Sequence, residues 1–376
     1  MALNPPKLLY VVNVDWFFLS HRLPIALGAR SAGYEVHVAT GLTNRAHLFA
    51  NYGLILHPIY LERGDTSLLG LFRTFINILI VCLRVRPKVI HLVTIKPVLL
   101  GGIIARLLGL KRIVASVSGL GYIFIAKGSK ASIRRMIIGS LYKLSLFNDG
   151  IRVIFQNPDD RLSLCKLSSL PFSKTVLIPG SGVSLSLYSP SGLPPGIPVV
   201  LFAARLLSSK GIHEFVDAAS QLNGARFVIA GQLDKENRDC IDPAQLNQWV
   251  ENGWIEYWGY SDAMANVLTQ ASIIVLPSYR EGLPKVLIEA AACARPVITT
   301  DVPGCRDAIE PGVTGLLVPA QDSNALKVAI QYLLDNPELC ISMGLAGRAL
   351  AERKFDVKEV VQTHLDIYAE LIAKNL

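Results

Sequence analysis

Residues 272–301 read SIIVLPSYREGLPKVLIEAAACARPVITTD, and this stretch decides the fold class. Its runs 272–278 and 295–301 are typical of buried strands, and the segment between them is typical of a helix. Gly282 predicts a turn, and Pro284 is expected in the first turn of the helix that follows it. Neighbouring parallel strands need a long connection, usually a helix, whereas a short turn joins antiparallel strands. The helix between these two strands therefore predicts a parallel pair. The stretch therefore predicts an α/β protein with a parallel sheet covered on both faces.

The same alternation of strands and helices extends along the chain. Further strands are predicted at 7–14, 34–41, 89–94, 112–119, 150–157, 198–204, 225–231, 255–260 and 314–319. The Pro/Gly/Ser-rich segment 189–198, SPSGLPPGIP, interrupts the pattern and predicts a linker. We therefore expect two Rossmann-like, doubly wound domains, 1–190 and 191–376, that face each other across a ligand-binding cleft. The last helix is expected to pack back on the first domain.

Charge is divided unevenly between the two predicted domains. Residues 1–190 contain 22 Lys and Arg against 7 Asp and Glu, a net charge of +15, whereas residues 191–376 contain 15 against 22, a net charge of −7. In the first half, basic residues alternate with long aliphatic ones, as in IIARLLGLKR at 103–112. This pattern is typical of a protein that lies on an anionic membrane surface. No nucleic-acid-binding motif accompanies it, so we expect no nucleic-acid partner.

The compartment is predicted from features that the sequence lacks. The apolar run TFINILIVCL, between Arg73 and Arg84, is shorter than the ~20 residues that a bilayer requires. The first residues show no signal-peptide pattern. The six cysteines have no spacing typical of a metal site and are expected to be reduced thiols. We therefore expect a cytoplasmic protein, peripheral on the inner face of the cytoplasmic membrane.

Two basic residues follow a predicted strand in the second half. Arg205 and Lys210 lie in RLLSSKG, between the strand at 198–204 and a predicted helix. Arg offers a planar fork of donors and Lys a mobile charge, so the two suit a diphosphate. Two solvated loop charges are the alternative, and on this segment alone the alternative is slightly favoured.

The opening stretch also contains two carboxylates. Glu281 lies in the loop, and Glu289 lies in the apolar helix KVLIEAAACA. A buried carboxylate costs several kcal/mol unless it is paired or hydrogen-bonded, and the two hydroxyls of a ribose would satisfy Glu289. A salt bridge to a nearby Lys or Arg would satisfy it equally, and Glu281 is either a sugar contact or a solvated charge. Considered together with Arg205 and Lys210, the two glutamates favour a ligand site.

This combination of segments resembles a known family. SYREGLPKVLIEAAACARPVI is similar to the E-x7-E signature of retaining glycosyltransferases of family 4, which have the GT-B fold. FAARLLSSKGIHEFVDAA resembles their donor-phosphate segment, and VLIPGSGVSLSLYSP resembles the passage before their interdomain linker. The resemblance is strong from about residue 175 to 320 and weaker in the first half.

The resemblance implies a role for each motif residue. Glu281 would lie near the donor sugar, Glu289 would bind the ribose, and Arg205 and Lys210 would neutralise the diphosphate. Further contacts to the diphosphate and sugar would come from the backbone of Gly282, Leu283 and Pro284. Recognition of the nucleotide base would rest on backbone groups near Gly259 and Tyr260.

No Asp-x-Asp pair occurs in the sequence. A transferase that lacks this metal-binding pair must stabilise the departing diphosphate with fixed cations and helix N-termini. Arg205 and Lys210 meet that requirement, so we expect neither a metal ion nor another cofactor.

The first half departs from the family pattern after its first strand. It lacks the Gly-rich loop that is common there, and His21 and Arg22 open the next helix, as in relatives that act on polyprenyl-diphosphate-linked sugars. Ser118 occupies the place where some relatives have a histidine that contacts the donor sugar. We regard these three residues as acceptor-site candidates. A surface charge for Arg22 and a helix-start hydrogen bond for His21 are the alternatives.

The segment ASVSGLGYIF, 115–124, begins like a dinucleotide-binding fingerprint. Phe124 occupies the position of the third glycine, and no acidic residue follows about 20 positions later, so NAD binding is rejected. GLGYIF and GSLYKLSLF together resemble bacterial transferases that add N-acetylgalactosamine to undecaprenyl-diphosphate-linked amino sugars.

The sequence therefore predicts a retaining, metal-independent glycosyltransferase. It would move a hexose or N-acetylhexosamine from a UDP-sugar to an undecaprenyl-diphosphate-linked saccharide in the assembly of a cell-surface polysaccharide or glycan. One alternative is a GT-B enzyme on soluble substrates, such as a UDP-sugar epimerase or a sugar-phosphate transferase. A membrane-surface scaffold without activity is another.

Overall fold

A computed structural model describes residues 5–65, 67–120 and 129–374 of the protein, with the side chains of all of these except 129–134. Gly121 and Phe124, on which the comparison with a dinucleotide fingerprint rests, lie outside the described residues.

The chain divides into two compact units. The first consists of Met1–Ser181 together with Lys358–Leu376, and the second is Gly182–Val357. The boundary thus lies before the Pro/Gly/Ser-rich segment. Val183 explains the difference, since its N–H donates to the Phe355 carbonyl at 2.8 Å and its own carbonyl accepts from the Val357 N–H at 3.0 Å. These bonds attach the residues before that segment to the second unit.

The first unit is built on a parallel sheet. Its described strands are β1 (Lys7–Val12), β2 (Glu35–Thr40), β3 (Ile55–Pro58), β4 (Val89–Val93), β5 (Ile113–Val117), β6 (Ile151–Phe155) and β7 (Thr175–Leu177). They lie in the order β3-β2-β1-β4-β5-β6-β7. Every residue of β4 and β5 is buried, as expected where helices cover both faces of a sheet.

Helices cover both faces of this sheet. In chain order they are α1 (Asp15–His21), α2 (Leu23–Ser31), α3 (Ala46–Asn51), α4 (Leu68–Val85), α5 (Ile95–Leu107), α6 (Ser129–Leu146) and α7 (Pro158–Ser168). Leu9 and Val11 of β1 lie in a core shared with α4, α5, α6 and α7. Leu8, Tyr10 and Val12 lie in a core shared with α1, α2 and α3. The alternation follows from the two-residue period of a strand.

The second unit repeats this architecture. Its strands are β8 (Val199–Ala203), β9 (Arg226–Ala230), β10 (Glu256–Gly259), β11 (Ile273–Leu276), β12 (Val297–Thr300) and β13 (Gly315–Val318). They are parallel and lie in the order β10-β9-β8-β11-β12-β13. Its helices are α8 (Ile212–Ala219), α9 (Pro243–Glu251), α10 (Met264–Thr269), α11 (Lys285–Ala292), α12 (Ser323–Leu334) and α13 (Pro337–Lys354).

The last helix, α14 (Val357–Ala373), belongs to the first unit apart from its first residue. Val360, Ile367 and Tyr368 pack into the core that contains α1 and α2. Gly28 of α2 permits this approach, because a Cβ there would lie 2.4 Å from Cγ1 of Val361.

The order of strands reverses once in each sheet. β1 lies between β2 and β4, and β8 lies between β9 and β11. Right-handed crossovers then lead the loops after β1 and β4, and those after β8 and β11, toward opposite faces of their sheets. A crevice opens beyond the carboxyl ends of the strands at such a reversal, and doubly wound proteins bind their ligands there.

Helix α4 is longer than the apolar run between Arg73 and Arg84. By length and composition it could cross a membrane, with a mean hydropathy of 2.0 over 18 residues, so the expectation that no segment is long enough was wrong. The helix gains its first turn from residues before Arg73. The buried residues of α4 nevertheless form one stripe in the layer of helices on the sheet: Gly70, Thr74, Ile78, Val81, Cys82 and Val85.

The turn after β8 depends on a glycine. Gly211 has a φ of +75°, and a Cβ there would lie 2.2 Å from the carbonyl oxygen of Pro277. Gly224 has a similar φ of +82°, but a Cβ there would meet no atom within 4 Å. We expect Gly211→Ala to lower the free energy of unfolding by about 3 kcal/mol and Gly224→Ala by about 1 kcal/mol.

Urea unfolding followed by tryptophan fluorescence would measure both losses. Three of the four tryptophans report on the second unit: Trp249, Trp254 and Trp258. Equal losses in the two variants would contradict the close packing of Gly211 against the loop after β11.

Candidate functional site

The loops after β8 and β11 meet at the reversal of the second sheet. The Tyr279 N–H, after β11, donates to the Ser209 carbonyl, after β8, at 2.9 Å. Gly211 packs against Pro277 directly beside this bond. The two predicted motifs are therefore held together as one loop cluster. Lys210 and Glu281, which are 71 positions apart, become direct neighbours.

Glu281 is paired in the structure. Lys210 Nζ forms an ion pair with its Oε1, and the side chains of Lys210 and Glu281 are 17% and 13% exposed. The Ser278 hydroxyl donates to the same Oε1 at 2.9 Å. The alternative of a solvated loop charge is therefore wrong for Glu281, whose carboxylate is held in one orientation by two partners.

Arg205 has a partner that the sequence did not reveal. Its Nη1 lies 2.6 Å from Oδ2 of Asp234, which follows β9, the neighbour of β8. Asp234 is buried, whereas the Arg205 side chain is 34% exposed. The guanidinium of Arg205 is therefore held by a buried carboxylate at a position that solvent reaches. An anion that binds there competes with a carboxylate for the same cation.

Glu289 is only 5% exposed and has two partners. The Tyr188 hydroxyl donates to its Oε1 at 2.7 Å, and Lys285 Nζ, one turn earlier on α11, lies 3.0 Å from the same atom. The salt bridge given as an alternative is therefore present. No described residue donates to Oε2, which leaves one oxygen for a ligand. Burial, followed by the charge of Glu289, raises the pKa of Tyr188 and keeps it a donor.

The backbone between the two glutamates is packed tightly on the next loop. A Cβ on Gly304 would lie 2.5 Å from the Glu281 carbonyl and 2.6 Å from that of Gly282. Leu283 is buried, and Pro284 is the residue that precedes α11 rather than a member of its first turn. The prediction of Pro284 inside the helix is off by one position, but the unpaired N–H groups of a helix start still follow it.

Gly259 ends β10, two strands away from the reversal, and Tyr260 follows it. Gly259 has a φ of +70°, and its carbonyl accepts from the Gly231 N–H at 2.8 Å. Tyr260 is 48% exposed, and its hydroxyl donates to Asp262 at 2.6 Å. Both residues lie at the carboxyl edge of the sheet, and their role in base recognition stays a prediction.

The reversal in the first sheet also gathers polar residues. Asn13, Thr94 and Ser118 directly follow β1, β4 and β5, which are neighbours in the sheet. The side-chain oxygens of Asn13 and Thr94 are buried and have no hydrogen-bond partner among the described residues. Thr94 also has a φ of +74°, which is strained for a β-branched residue. Unsatisfied groups and local strain are features that cluster at binding sites.

Arg22 lies at the same edge and is 2% exposed. Its Nη2 donates to the Ser118 hydroxyl at 3.2 Å and its Nη1 to the His21 carbonyl at 3.2 Å. Its Nε has no acceptor, and no carboxylate of the described residues pairs with the guanidinium. Burial lowers the pKa of Arg22. The alternative of a surface charge is therefore wrong for Arg22, and the structure brings Arg22 and Ser118 together.

The surroundings of Arg22 are rigid. The ring of His21 stacks on Phe17, with centroids 4.2 Å apart. Asp15 is fully buried and accepts from the backbone N–H and the hydroxyl of Thr43, at 2.7 and 2.8 Å. These two bonds tie the start of α1 to the loop after β2. His91 of β4 is buried and bonded to Tyr368 and Ser116, so it is part of the core.

No cluster of three or more His, Cys, Asp or Glu side chains that could hold a metal ion occurs in the described part of the chain. The carboxylates at the reversal of the second sheet each pair with a cation instead: Asp234, Glu281 and Glu289.

Two family models match the chain, one in each unit. The model described as "Glycosyl transferase 4-like" matches residues 7–156, and the model described as "Glycosyl transferases group 1" matches residues 197–336. The second match contains Arg205, Lys210, Glu281 and Glu289.

Curated relatives cover most of the chain. N,N'-diacetylbacillosaminyl-diphospho-undecaprenol alpha-1,3-N-acetylgalactosaminyltransferase of Campylobacter jejuni is 32% identical over 277 residues, which are 70% of this chain and 71% of that protein. Putative glycosyltransferase EpsD of Bacillus subtilis is 26% identical over an alignment of 386 positions, gaps included, which covers 96% of this chain and 96% of that protein.

Solved structures share the fold. Sucrose-phosphate synthase from Thermosynechococcus elongatus superposes with a TM-score of 0.80 at 23% identity, over 98% of this chain and 99% of that one. Anabaena HepE in complex with UDP-glucose superposes with a TM-score of 0.78 at 18% identity, over 97% and 99%. The two parallel α/β units therefore have the GT-B architecture.

Two arginines in the described part of the chain are almost completely buried and have different surroundings. Arg22 has two acceptors and no counter-charge, whereas Arg295 donates to five oxygens of Ser191, Gly192, Leu268 and Thr269. We expect Arg22→Met to raise the free energy of unfolding by about 1 kcal/mol or more, because an uncompensated buried charge is removed. The matched variant Arg295→Met should lower it by about 3 kcal/mol.

Chemical unfolding followed by far-UV circular dichroism would compare the two variants. A loss of stability in Arg22→Met as large as that in Arg295→Met would show that the Arg22 guanidinium is a structural group.

Proposed function

Because the chain belongs to the glycosyl transferases group 1 family of GT-B enzymes, we propose that it transfers a hexose or N-acetylhexosamine from a UDP-sugar to an undecaprenyl-diphosphate-linked saccharide. The observation that carries the proposal is the contact between the loops after β8 and β11, which pairs Lys210 with Glu281. Arg205 lies in the first of these loops, and Glu289 lies in α11, which follows the second. The Campylobacter relative, whose name gives an undecaprenol-linked acceptor, supports the acceptor class. The HepE complexes with UDP and UDP-glucose support the donor class.

The donor would bind with its charge at the loop cluster. Lys210 and Arg205 would each bind the diphosphate while remaining paired with a carboxylate. The carboxylate of Lys210 is Glu281, and that of Arg205 is Asp234. The start of α11 would add backbone N–H donors and the positive end of its dipole. The free Oε2 of Glu289 would accept from a ribose hydroxyl. Ion pairs within the protein orient Arg205, Lys210, Glu281 and Glu289 before the donor binds.

The proposed transfer retains the α configuration and needs no metal ion. As the sugar–phosphate bond breaks, negative charge grows on the departing diphosphate, where Lys210, Arg205 and the α11 start would stabilise it. Glu281, bonded to Lys210, would lie beside the donor sugar and fix the position of that cation. The acceptor hydroxyl would attack on the face that the diphosphate leaves, and its proton would pass to the departing phosphate oxygen.

The acceptor would bind at the first sheet. Arg22 is a buried cation that lacks a counter-charge among the described residues, and a phosphate group of the lipid-linked acceptor would supply it. Asn13 and Thr94 have buried oxygens without partners in the described part of the chain, and these would accept from sugar or phosphate hydroxyls. Ser118, bonded to Arg22, and His21, stacked on Phe17, would border the same site.

A soluble acceptor is the competing proposal. The sucrose-phosphate synthase that shares the fold is named for a soluble product, so fold alone does not choose between the two classes. The buried, uncompensated Arg22 suits a phosphate in either class. The apolar and basic composition of the first unit favours the lipid-linked acceptor.

The donor site is tested by thermal unfolding of the purified chain with UDP, GDP, ADP and CMP, in the presence of a chelator. UDP at a hundredfold excess over its dissociation constant should stabilise the protein by about 2.7 kcal/mol. Glu289→Gln should remove most of this gain, because the ribose contact is lost. Glu256→Gln is the matched control, since Glu256 is an exposed carboxylate that pairs with Arg226.

A UDP-dependent rise in the melting temperature that survives Glu256→Gln and not Glu289→Gln supports the proposal. Stabilisation by none of the nucleotides, or by UDP equally in both variants, would contradict the donor site.

A further inference from the structure

The outward surface of the helix layer formed by α4, α5 and α6 is apolar. From Met136 to Phe147, the exposed positions of α6 and its end are hydrophobic except for Ser140 and Lys143. We define the outer helix face as the exposed hydrophobic residues of this layer: Leu68, Leu69, Phe72, Ile80 and Leu83 of α4, Leu107 of α5, and Met136, Ile137, Leu141, Leu144 and Phe147 of α6 and its end. The outward side of a helix in a water-soluble domain is normally polar.

These residues belong to one layer of helices. α4 packs on α5 and α5 packs on α6, and the inward sides of all three contribute to the same core. At the ends of α5 and α6, the guanidinium of Arg106 lies 5.0 Å from the ring centre of Phe147. A basic group thus caps an exposed aromatic ring, as is typical of residues that lie at the boundary between lipid and water.

The charge of the same segment has one sign. Residues 67–148 contain 13 Lys and Arg and no Asp or Glu. Several of the basic residues border the outer helix face and are exposed: Arg73, Arg84, Arg86, Arg106 and Lys143. An apolar surface bordered by cations alone is complementary to an anionic lipid headgroup layer over an acyl interior.

We propose that the outer helix face is the surface by which this protein binds an anionic lipid bilayer. The hydrophobic side chains enter the headgroup boundary, and the bordering arginines and lysines pair with lipid phosphates. A symmetric contact between two copies would place these cations against each other, which disfavours a dimer through this surface. The inference deepens the proposed function, since it names the surface that meets the membrane of a lipid-linked acceptor. The purpose of this binding rests on the proposed function, whereas the binding itself does not.

Vesicle flotation of the full chain tests the inference. Wild-type protein should float with vesicles of phosphatidylcholine and phosphatidylglycerol, much less with phosphatidylcholine alone, and less at high salt. Replacing Leu69, Phe72, Ile137, Leu144 and Phe147 by Gln should weaken binding to the anionic vesicles about tenfold or more. Far-UV circular dichroism and the thermal shift with UDP confirm that the variant is folded.

A matched control uses equally exposed hydrophobic residues of the second unit. Val328, Ile341 and Leu345 are 59%, 50% and 60% exposed, and replacing them by Gln should leave flotation unchanged. The inference would be overturned if both variants lost flotation equally or if the wild-type protein did not bind anionic vesicles. It would also be overturned if the wild-type protein formed a concentration-dependent dimer that the five substitutions in the outer helix face abolished. The flotation assay involves no sugar transfer, so such a result would leave the proposed transferase activity standing.

Discussion

The reversal of strand order between β8 and β11 is the constraint on which the candidate donor site depends. Parallel strands with right-handed crossovers send the chain to opposite faces at this point, so the two loops separate and leave a crevice at the sheet edge. The bond from Tyr279 to Ser209 then joins the loops below the crevice. Without the reversal, Lys210 and Glu281 would be charges on unrelated loops.

Ion pairs at the crevice serve a purpose other than stability. Buried or half-buried pairs contribute little net free energy, because the loss of hydration offsets their attraction. They do fix the orientation of Arg205, Lys210 and Glu289 in the absence of ligand, while Oε2 of Glu289 accepts from none of the described residues. In the first unit the situation is the opposite. Arg22 is buried without a counter-charge in the described part of the chain, so an anion would complete that site.

Much of this architecture could be predicted from the sequence. Buried strands of a parallel sheet are continuous apolar runs, and motifs at their carboxyl ends converge. Local patterns were therefore sufficient to name Arg205, Lys210, Glu281 and Glu289 as candidates, and their roles stay a prediction. The family to which the chain belongs was recognised from the same segments. Chain order was sufficient because each motif begins within a few residues of a strand end.

Pairings between distant segments could not be predicted. Tyr188, 101 positions from Glu289, stands in the recognised SLSLYSP passage, but nothing in that passage indicates its partner. Asp234 is one of several carboxylates in the polar loop after β9, and the sequence does not indicate which of them pairs with Arg205. Arg22 directly precedes α2, on which α14 packs from the other end of the chain, so the local sequence does not show its burial. The unit boundary was missed because Val183 is fixed by bonds to Phe355 and Val357.

We propose above all that the chain is a retaining glycosyltransferase that acts on a lipid-diphosphate-linked sugar. The most direct measurement is incubation with UDP-hexoses and UDP-N-acetylhexosamines and an undecaprenyl-diphosphate-linked saccharide in the presence of a chelator, with the product analysed by mass spectrometry and NMR. We expect one added sugar in α linkage and release of an equal amount of UDP. A β-linked product, a requirement for a metal ion, or transfer only to soluble acceptors would contradict it.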